Sequence, residues 1–267
     1  APMVHDARYG HVVLFGGYDG HNYLNDTWTW AGNRWTRQRS GPRRLNGAGM
    51  AHSPSLGTVL FGGWDSIQGP VADTWVWRGT SWSQRNPTHR PPKRSYPALA
   101  YDPVNRQILL FGGYNGAALA DTWLWNGATW TQRTGGPVPP ARYIHKLVHC
   151  PSRNSILLFG GYDRTGAIDD LWEWNGTQWS RLAPRGGLPP RRMAQAMVWD
   201  AHRERAVVFG GQSASSVIDL SDTWTFGPTT RANGVPYGAP CSTLAPTLDA
   251  FGRPRLGNLQ FAFETHH

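Results

Sequence analysis

Five copies of the phrase Phe-Gly-Gly run through this chain, beginning at Phe15, Phe61, Phe111, Phe159 and Phe209. Their spacings are 46, 50, 48 and 50 residues. Self-similarity at a fixed period of this length marks a repeat architecture, in which one supersecondary unit is stacked several times. The repeat constrains the fold tightly and the chemistry hardly at all.

The third unit shows what is being repeated. Ala98-Leu99-Ala100-Tyr101 is an apolar stretch, and Asp102-Pro103-Val104-Asn105-Arg106 reads as a turn. Gln107 to Phe111 is a strongly apolar strand that ends at Gly112-Gly113. After a variable loop comes Asp121-Thr122-Trp123-Leu124-Trp125, then the hairpin dipeptide Asn126-Gly127 and a last strand from Trp130. The unit is therefore four short antiparallel strands. One twisted sheet of that size cannot bury both faces. Stacked around an axis, each sheet covers its neighbours, which predicts an all-β β-propeller of four-stranded blades.

Tryptophan supplies the filling. The pattern W-x-W-x-x-x-x-W recurs at Trp28/Trp30/Trp35, Trp75/Trp77/Trp82, Trp123/Trp125/Trp130 and Trp172/Trp174/Trp179. Residues i and i+2 share one face of a strand, and each indole buries on the order of 200 Å2. So regular a register reads as blade core rather than as a sugar-stacking platform. Asp26, Asp73, Asp121, Asp170 and Asp222 each stand two residues before a Trp, and Arg44, Arg94, Arg142 and Arg192 each stand 17 residues before the aligned Phe. One Asp and one Arg per unit predict a structural ion pair in each blade.

These motifs resemble the kelch repeat, with an apolar strand ending in Gly-Gly, a loop, an Asp-x-Trp strand and a closing Trp strand. The resemblance covers about 225 of the 267 residues and is nearest to bacterial exported kelch proteins rich in LFGG and DTWxW. It implies a propeller over residues 1–230. Residues 231–267 are then a tail that completes or caps the ring. The fifth unit departs from the pattern, with Phe226 for the second Trp and no third. Five blades are expected, with Arg231 to Tyr237 as the missing outer strand and Leu259 to Phe263 packed on the ring. The alternative is a sixth, degenerate blade.

No apolar run reaches 18 residues, so no helical membrane span is expected. The chain opens on Ala1-Pro2-Met3 without a signal peptide, in the middle of a repeat, which reads as a mature or trimmed form of a secreted protein, and the ring is expected to be monomeric. Cys150 and Cys241 form no C-x-x-C pair, so they are either a disulfide or two buried thiols. His145 and His149 fall on a strand, where i and i+4 lie about 13 Å apart, too far to share a metal. Kelch oxidases similar to galactose oxidase need a copper site of His and Tyr with a Tyr–Cys crosslink, and nothing here matches one. No metal or cofactor is expected.

Function is sought in the variable loops. In a kelch propeller, the links between blades and the loops after Gly-Gly open on one face. Here they carry Asn46, Tyr96, Tyr143, His145 and Gln195 on the links, and Trp64, Tyr114, Tyr162 and Gln212 after Gly-Gly. Together they make a mouth for a polar ligand. Segments 34–44, 85–94, 133–146 and 181–192 hold 16 of the 26 Lys and Arg, and the net charge is +9. This suggests an arginine-lined rim that attracts anions. The expected function is a non-catalytic binding module for an acidic peptide, protein segment or anionic glycan. The alternative is an enzyme, a lyase, hydrolase or isomerase, built from His145, Tyr96, Tyr143 and rim arginines. Arg spread through repeats, with no charge run, argues against nucleic acid.

Overall fold

A computed structural model describes residues 1–39, 41–184, 187–213 and 219–227. They form a five-bladed β-propeller of kelch-type blades. Blade 1 is β1 (Met3–Asp6), β2 (His11–Tyr18), β3 (Tyr23–Ala31) and β4 (Arg34–Arg37). Blade 2 is β5 (Gly49–Ser53), β6 (Gly57–Phe61), β9 (Thr74–Trp77) and β10 (Trp82–Arg85), with a small hairpin, β7 (Trp64–Asp65) and β8 (Gly69–Pro70), rising between them. Blade 3 is β11 (Ala98–Asp102), β12 (Gln107–Phe111), β13 (Thr122–Trp125) and β14 (Trp130–Arg133). Blade 4 is β15 (Lys146–Cys150), β16 (Ser155–Phe159), β17 (Leu171–Trp174) and β18 (Trp179–Leu182). Blade 5 shows β19 (Ala196–Asp200), β20 (Arg205–Phe209) and β21 (Thr223–Phe226) among the described residues. All pairings within the blades are antiparallel, and the first strand of each blade lies innermost, against the first strands of its neighbours. The tail strand expected from Arg231 to Tyr237, the packing of Leu259 to Phe263, and Cys241 lie outside the described residues. Cys150 is buried as a free thiol.

The blades adhere through one recurrent latch. The conserved-register Phe of one blade meets the closing Trp of the next edge-on, as in Phe15–Trp82, Phe61–Trp130 and Phe111–Trp179, with ring centroids 5.2–5.4 Å apart. The same indole Nε1–H donates back to a Thr of the earlier blade, from Trp82 to Thr27, Trp130 to Thr74 and Trp179 to Thr122, at 2.9–3.0 Å. Within a blade the second and third Trp pack together, as in Trp77–Trp82, Trp125–Trp130 and Trp174–Trp179 at 5.4–5.5 Å. Blade 5 lacks the closing Trp, and Phe226 takes over by packing on Phe159 at 5.4 Å. Among the described residues, the halves without such a partner are Trp35 of blade 1 and Phe209 of blade 5, which are 43% and 54% exposed.

The expected Asp–Arg pairs of Arg94, Arg142 and Arg192 are present in blades 3 to 5, and they are more deeply built than the sequence suggests. Arg94, Arg142 and Arg192 are 0% exposed. Each forks onto the Asp of its own blade, Asp121, Asp170 and Asp222, through two hydrogen bonds of 2.5–2.8 Å. Each also donates to the carbonyl of the first glycine of Gly-Gly and to a proline carbonyl two residues upstream. Burial would raise the Asp121 pKa, but the Arg94 hydrogen bonds and charge overcome it and hold it low; Arg192 does the same for Asp222.

Blade 2 corrects the register. Leu45, not Arg44, occupies the position of the buried arginines, since its carbonyl accepts from Gly17 as those of Arg94, Arg142 and Arg192 accept from Gly63, Gly113 and Gly161. The turn between β5 and β6 is one residue shorter than its counterpart between β11 and β12, so counting back from Phe61 overshoots. Arg44 is exposed, and Arg43 reaches Asp73 instead, at 3.1 Å.

Gly-Gly is demanded by both conformation and space. Gly112 and Gly113 have φ of 63° and 113°, and a Cβ on Gly112 would stand 2.5 Å from the Arg142 carbonyl oxygen.

Two stability outcomes follow from this packing. Trp125→Ala, at a fully buried indole, should cost about 3–5 kcal/mol by urea denaturation, and Trp35→Ala, at the open end, less than half of that. Arg142→Ala strands the buried Asp170 carboxylate and should cost about 3–5 kcal/mol. Equal losses for the two Trp variants, or an unchanged melting temperature for Arg142→Ala, would contradict the packing described.

Candidate functional site

The links and the loops after Gly-Gly do meet on one face. Each link residue forms an antiparallel bridge with a loop residue of the blade it enters: Asn46 with Trp64, Ser95 with Tyr114, Tyr143 with Tyr162, and Met193 with Gln212. The bridges are closed by backbone hydrogen bonds of 2.7–3.0 Å, such as Asn46 N–H to Trp64 and Trp64 N–H to Asn46. A rigid sheet edge therefore carries the variable side chains of the mouth.

Next to each bridge the chain passes through the left-handed region, at Gly47, Tyr96, Ile144 and Ala194, with φ of 54–63°. A bulky residue there is an outlier. It is held by a ring of hydrogen bonds from blade to blade: Tyr96 N–H to Gly47, Ile144 N–H to Tyr96 and Ala194 N–H to Ile144, at 2.6–3.4 Å. Backbone strain held in place by its surroundings is characteristic of functional sites. The glycine at position 47 was the only hint of this conformation in the sequence.

Tyrosines make the surface of this mouth. Tyr143 lies 5.0 Å from Tyr114, 5.6 Å from Tyr162 and 6.4 Å from Tyr96 between ring centroids. The Asn46 side-chain amide donates to the Tyr96 hydroxyl at 2.9 Å. All five are partly exposed, as are Trp64 and Gln212. Burial, and then Tyr23 nearby, raises the Tyr96 pKa; burial, and then Tyr162 and Tyr114, raises that of Tyr143. Both hydroxyls stay protonated at neutral pH and can donate. Tyr23 of blade 1 thus belongs with this group, although the sequence reading passed over it.

His145 and Gln195 turn inward from the same links. His145 is 3% exposed, with its ring edge-on to Phe111 at 5.5 Å. Burial first, then Arg142 and Lys146, lowers its pKa well below the ordinary histidine value. Gln195 occupies the matching position one blade on, and its amide donates to the Phe159 carbonyl at 2.8 Å. These two seal the seam between blades beneath the mouth.

The charge of the rim also differs from the sequence expectation. Arg94, Arg142 and Arg192 are withdrawn into the core, so they face no ligand. The loops after Gly-Gly instead present Asp19, Asp65 and Asp163, each of whose Oδ1 accepts two backbone N–H groups two and three residues on, at 2.6–3.0 Å. These turns stiffen the rim before any ligand arrives. Lys146, in the innermost strand of blade 4, is exposed to solvent, and the strands crowded around it desolvate the ammonium and lower its pKa. Among the described residues no cluster of His, Cys, Asp and Glu has the geometry to hold a metal, and no helix is long and apolar enough to cross a membrane.

Fold and mouth together define a ring of antiparallel blades that presents preorganised loops on one face. The chain matches the KLHDC2/KLHL20/DRC7 Kelch-repeats domain over residues 48–233, and it belongs to the kelch-repeat family. A comparison with curated proteins found no match.

With His11, His52 and His149, whose pKa values burial also lowers, the buried His145 sets a pH dependence. Its folded pKa lies below the unfolded value of about 6.5, so the unfolded state binds the extra proton and stability falls as pH drops below that value. Melting temperatures measured from pH 7 to pH 5 should therefore decline. His145→Gln, which copies blade 5 at this register, should flatten the decline; an unchanged slope would place the histidine's titration elsewhere.

Proposed function

We propose that this protein is a non-catalytic protein-binding module, and that the tyrosine-lined mouth holds an extended segment of its partner. Kelch propellers generally bind proteins, which supports the coarse reading. The observation that carries the site is the Tyr96–Tyr143–Tyr114–Tyr162 group, set on a hydrogen-bonded and conformationally strained edge. Tyrosine offers large, rigid contact area and a hydroxyl at little entropic cost, and it is enriched among interface hot spots.

The finer part of the reading is that the segment is acidic. Supporting it are the net charge of +9, the protonated tyrosine hydroxyls and Lys146 near the axis. The stiff loops with Asp19, Asp65 and Asp163 would then set where on the rim a carboxylate is accepted. Anionic glycans share that chemistry but lack the main-chain groups that a peptide offers to the strand-like edge. An enzyme reading loses its base, because His145 is sealed between blades. Export of the protein and a monomeric state are part of the same proposal.

An array of peptides graded from acidic to basic, probed with the purified protein at low salt, tests both levels. Acidic peptides should bind best, and Tyr143→Ala should weaken them at least tenfold, about 1.4 kcal/mol, while leaving the melting temperature nearly unchanged. Equal binding across the charge series would remove the acidic preference. Binding that survives Tyr143→Ala and Tyr114→Ala unchanged would move the site away from the mouth.

A further inference from the structure

Tyr96 stands where the backbone has no use for a tyrosine. Its φ of 54° lies in the left-handed region, which glycine enters freely and a bulky residue does not. Blade 2 has glycine at the same register, Gly47, with φ 63°. Whatever favours tyrosine at position 96 therefore lies in its side chain, and backbone strain of this kind gathers at functional sites.

The ring is laid across the seam onto Gly47. A Cβ on Gly47 would stand 2.5 Å from Tyr96 Cδ1 and 2.9 Å from Cγ, closer than packed atoms approach. Ala194 holds the same register with φ 58°, so the conformation itself admits an alanine; the Tyr96 ring forbids one at position 47. Hydrogen bonds fix both ends of the tyrosine. Its backbone N–H donates to the Gly47 carbonyl at 2.6 Å, and its hydroxyl accepts from the Asn46 side-chain amide at 2.9 Å. Asn46 is in turn held by its bridge to Trp64. A phenol that accepts from a fixed donor still has its own proton to give, and half-buried Tyr96 keeps that O–H at the mouth. Among the described residues, Tyr96 alone of Tyr96, Tyr114, Tyr143 and Tyr162 has a hydroxyl oriented by a protein hydrogen bond.

We propose that Tyr96 determines specificity at the mouth by donating its O–H to a side-chain carboxylate of the bound segment, and that Gly47 and Asn46 are positioning residues that hold the ring where it can do so. A phenol donating to a carboxylate makes a charge-assisted hydrogen bond, stronger and more directional than ring contact alone. The inference rests on the proposed function, which supplies the segment; it adds which hydroxyl makes the directed contact and what aims it.

The test uses the tightest peptide from the array and its alanine scan. Tyr96→Phe, which keeps the ring and its packing, should weaken the peptide at least tenfold, and alanine at one acidic position of the peptide should remove that sensitivity. Gly47→Ala should weaken binding as much in the wild type and no further in a Tyr96→Ala background. Asn46→Leu should weaken binding in the wild type and not in Tyr96→Phe, as expected of residues that act through one group. Without any peptide, the nuclear Overhauser contact between the Tyr96 ring and the α-protons of residue 47 should be present in the wild type and lost in Gly47→Ala. Unchanged binding in Tyr96→Phe, while Tyr143→Ala still abolishes it, overturns the proposal and leaves the mouth in place. A sensitivity that maps to a peptide position without a carboxylate, or a further loss from Gly47→Ala in the Tyr96→Ala background, also overturns it. Binding indifferent to both tyrosines removes the mouth and this contact together.

Discussion

The structure depends on a reciprocal contact between neighbouring blades. One blade offers a Phe and a Thr; the next offers a Trp whose ring covers the Phe and whose N–H reaches the Thr. A lone blade would expose both halves. Paired, they bury large aromatic surface and satisfy a polar group that would be costly to bury alone. The period of the sequence is the period of this contact. That is why Phe, Thr and Trp hold register while the loops between them vary.

A second device carries order from the seams to the mouth. The buried arginine ties the link between blades to both the Gly-Gly carbonyl and the Asp-x-Trp strand. Those are the two ends of the variable loop. With both ends and the adjoining link held by one planar group, the bridges at Tyr114 and Tyr162 have little freedom. The left-handed residues Tyr96, Ile144 and Ala194 can then be kept in a conformation their side chains disfavour. Core charge, in this propeller, positions surface side chains rather than attracting a ligand.

The elements that repeat were legible in the sequence. The strands of the third unit, the faces of the tryptophans and the Asp–Arg partnership all follow from local pattern and period. Three things were not. A turn shortened by one residue, between β5 and β6, put Arg44 where Leu45 stands, because counting along a chain cannot see a deletion that the fold absorbs. His145 and Gln195 share links with Tyr143 and Met193, and only the backbone turn at Ile144 and Ala194 sends them inward. The basic total could not show which arginines are consumed by structure. Site geometry rests on such turns, and turns leave a weaker trace in composition than strands do.

The end faces follow from the same reciprocity. Blade 5 presents Phe209 and Thr223 outward, the giving half of the latch, and blade 1 presents Trp35, the receiving half. Each matches any blade of this type, because the contact is built from the repeated residues and not from features particular to one pair. The chemistry of the seam therefore does not count blades. What individual blades add lies at the mouth, where Tyr23, Tyr96, Tyr114, Tyr143 and Tyr162 come from three different blades and the links that enter them, and differ from repeat to repeat. Repetition secures the ring, and departure from repetition is where recognition of a partner has to be encoded.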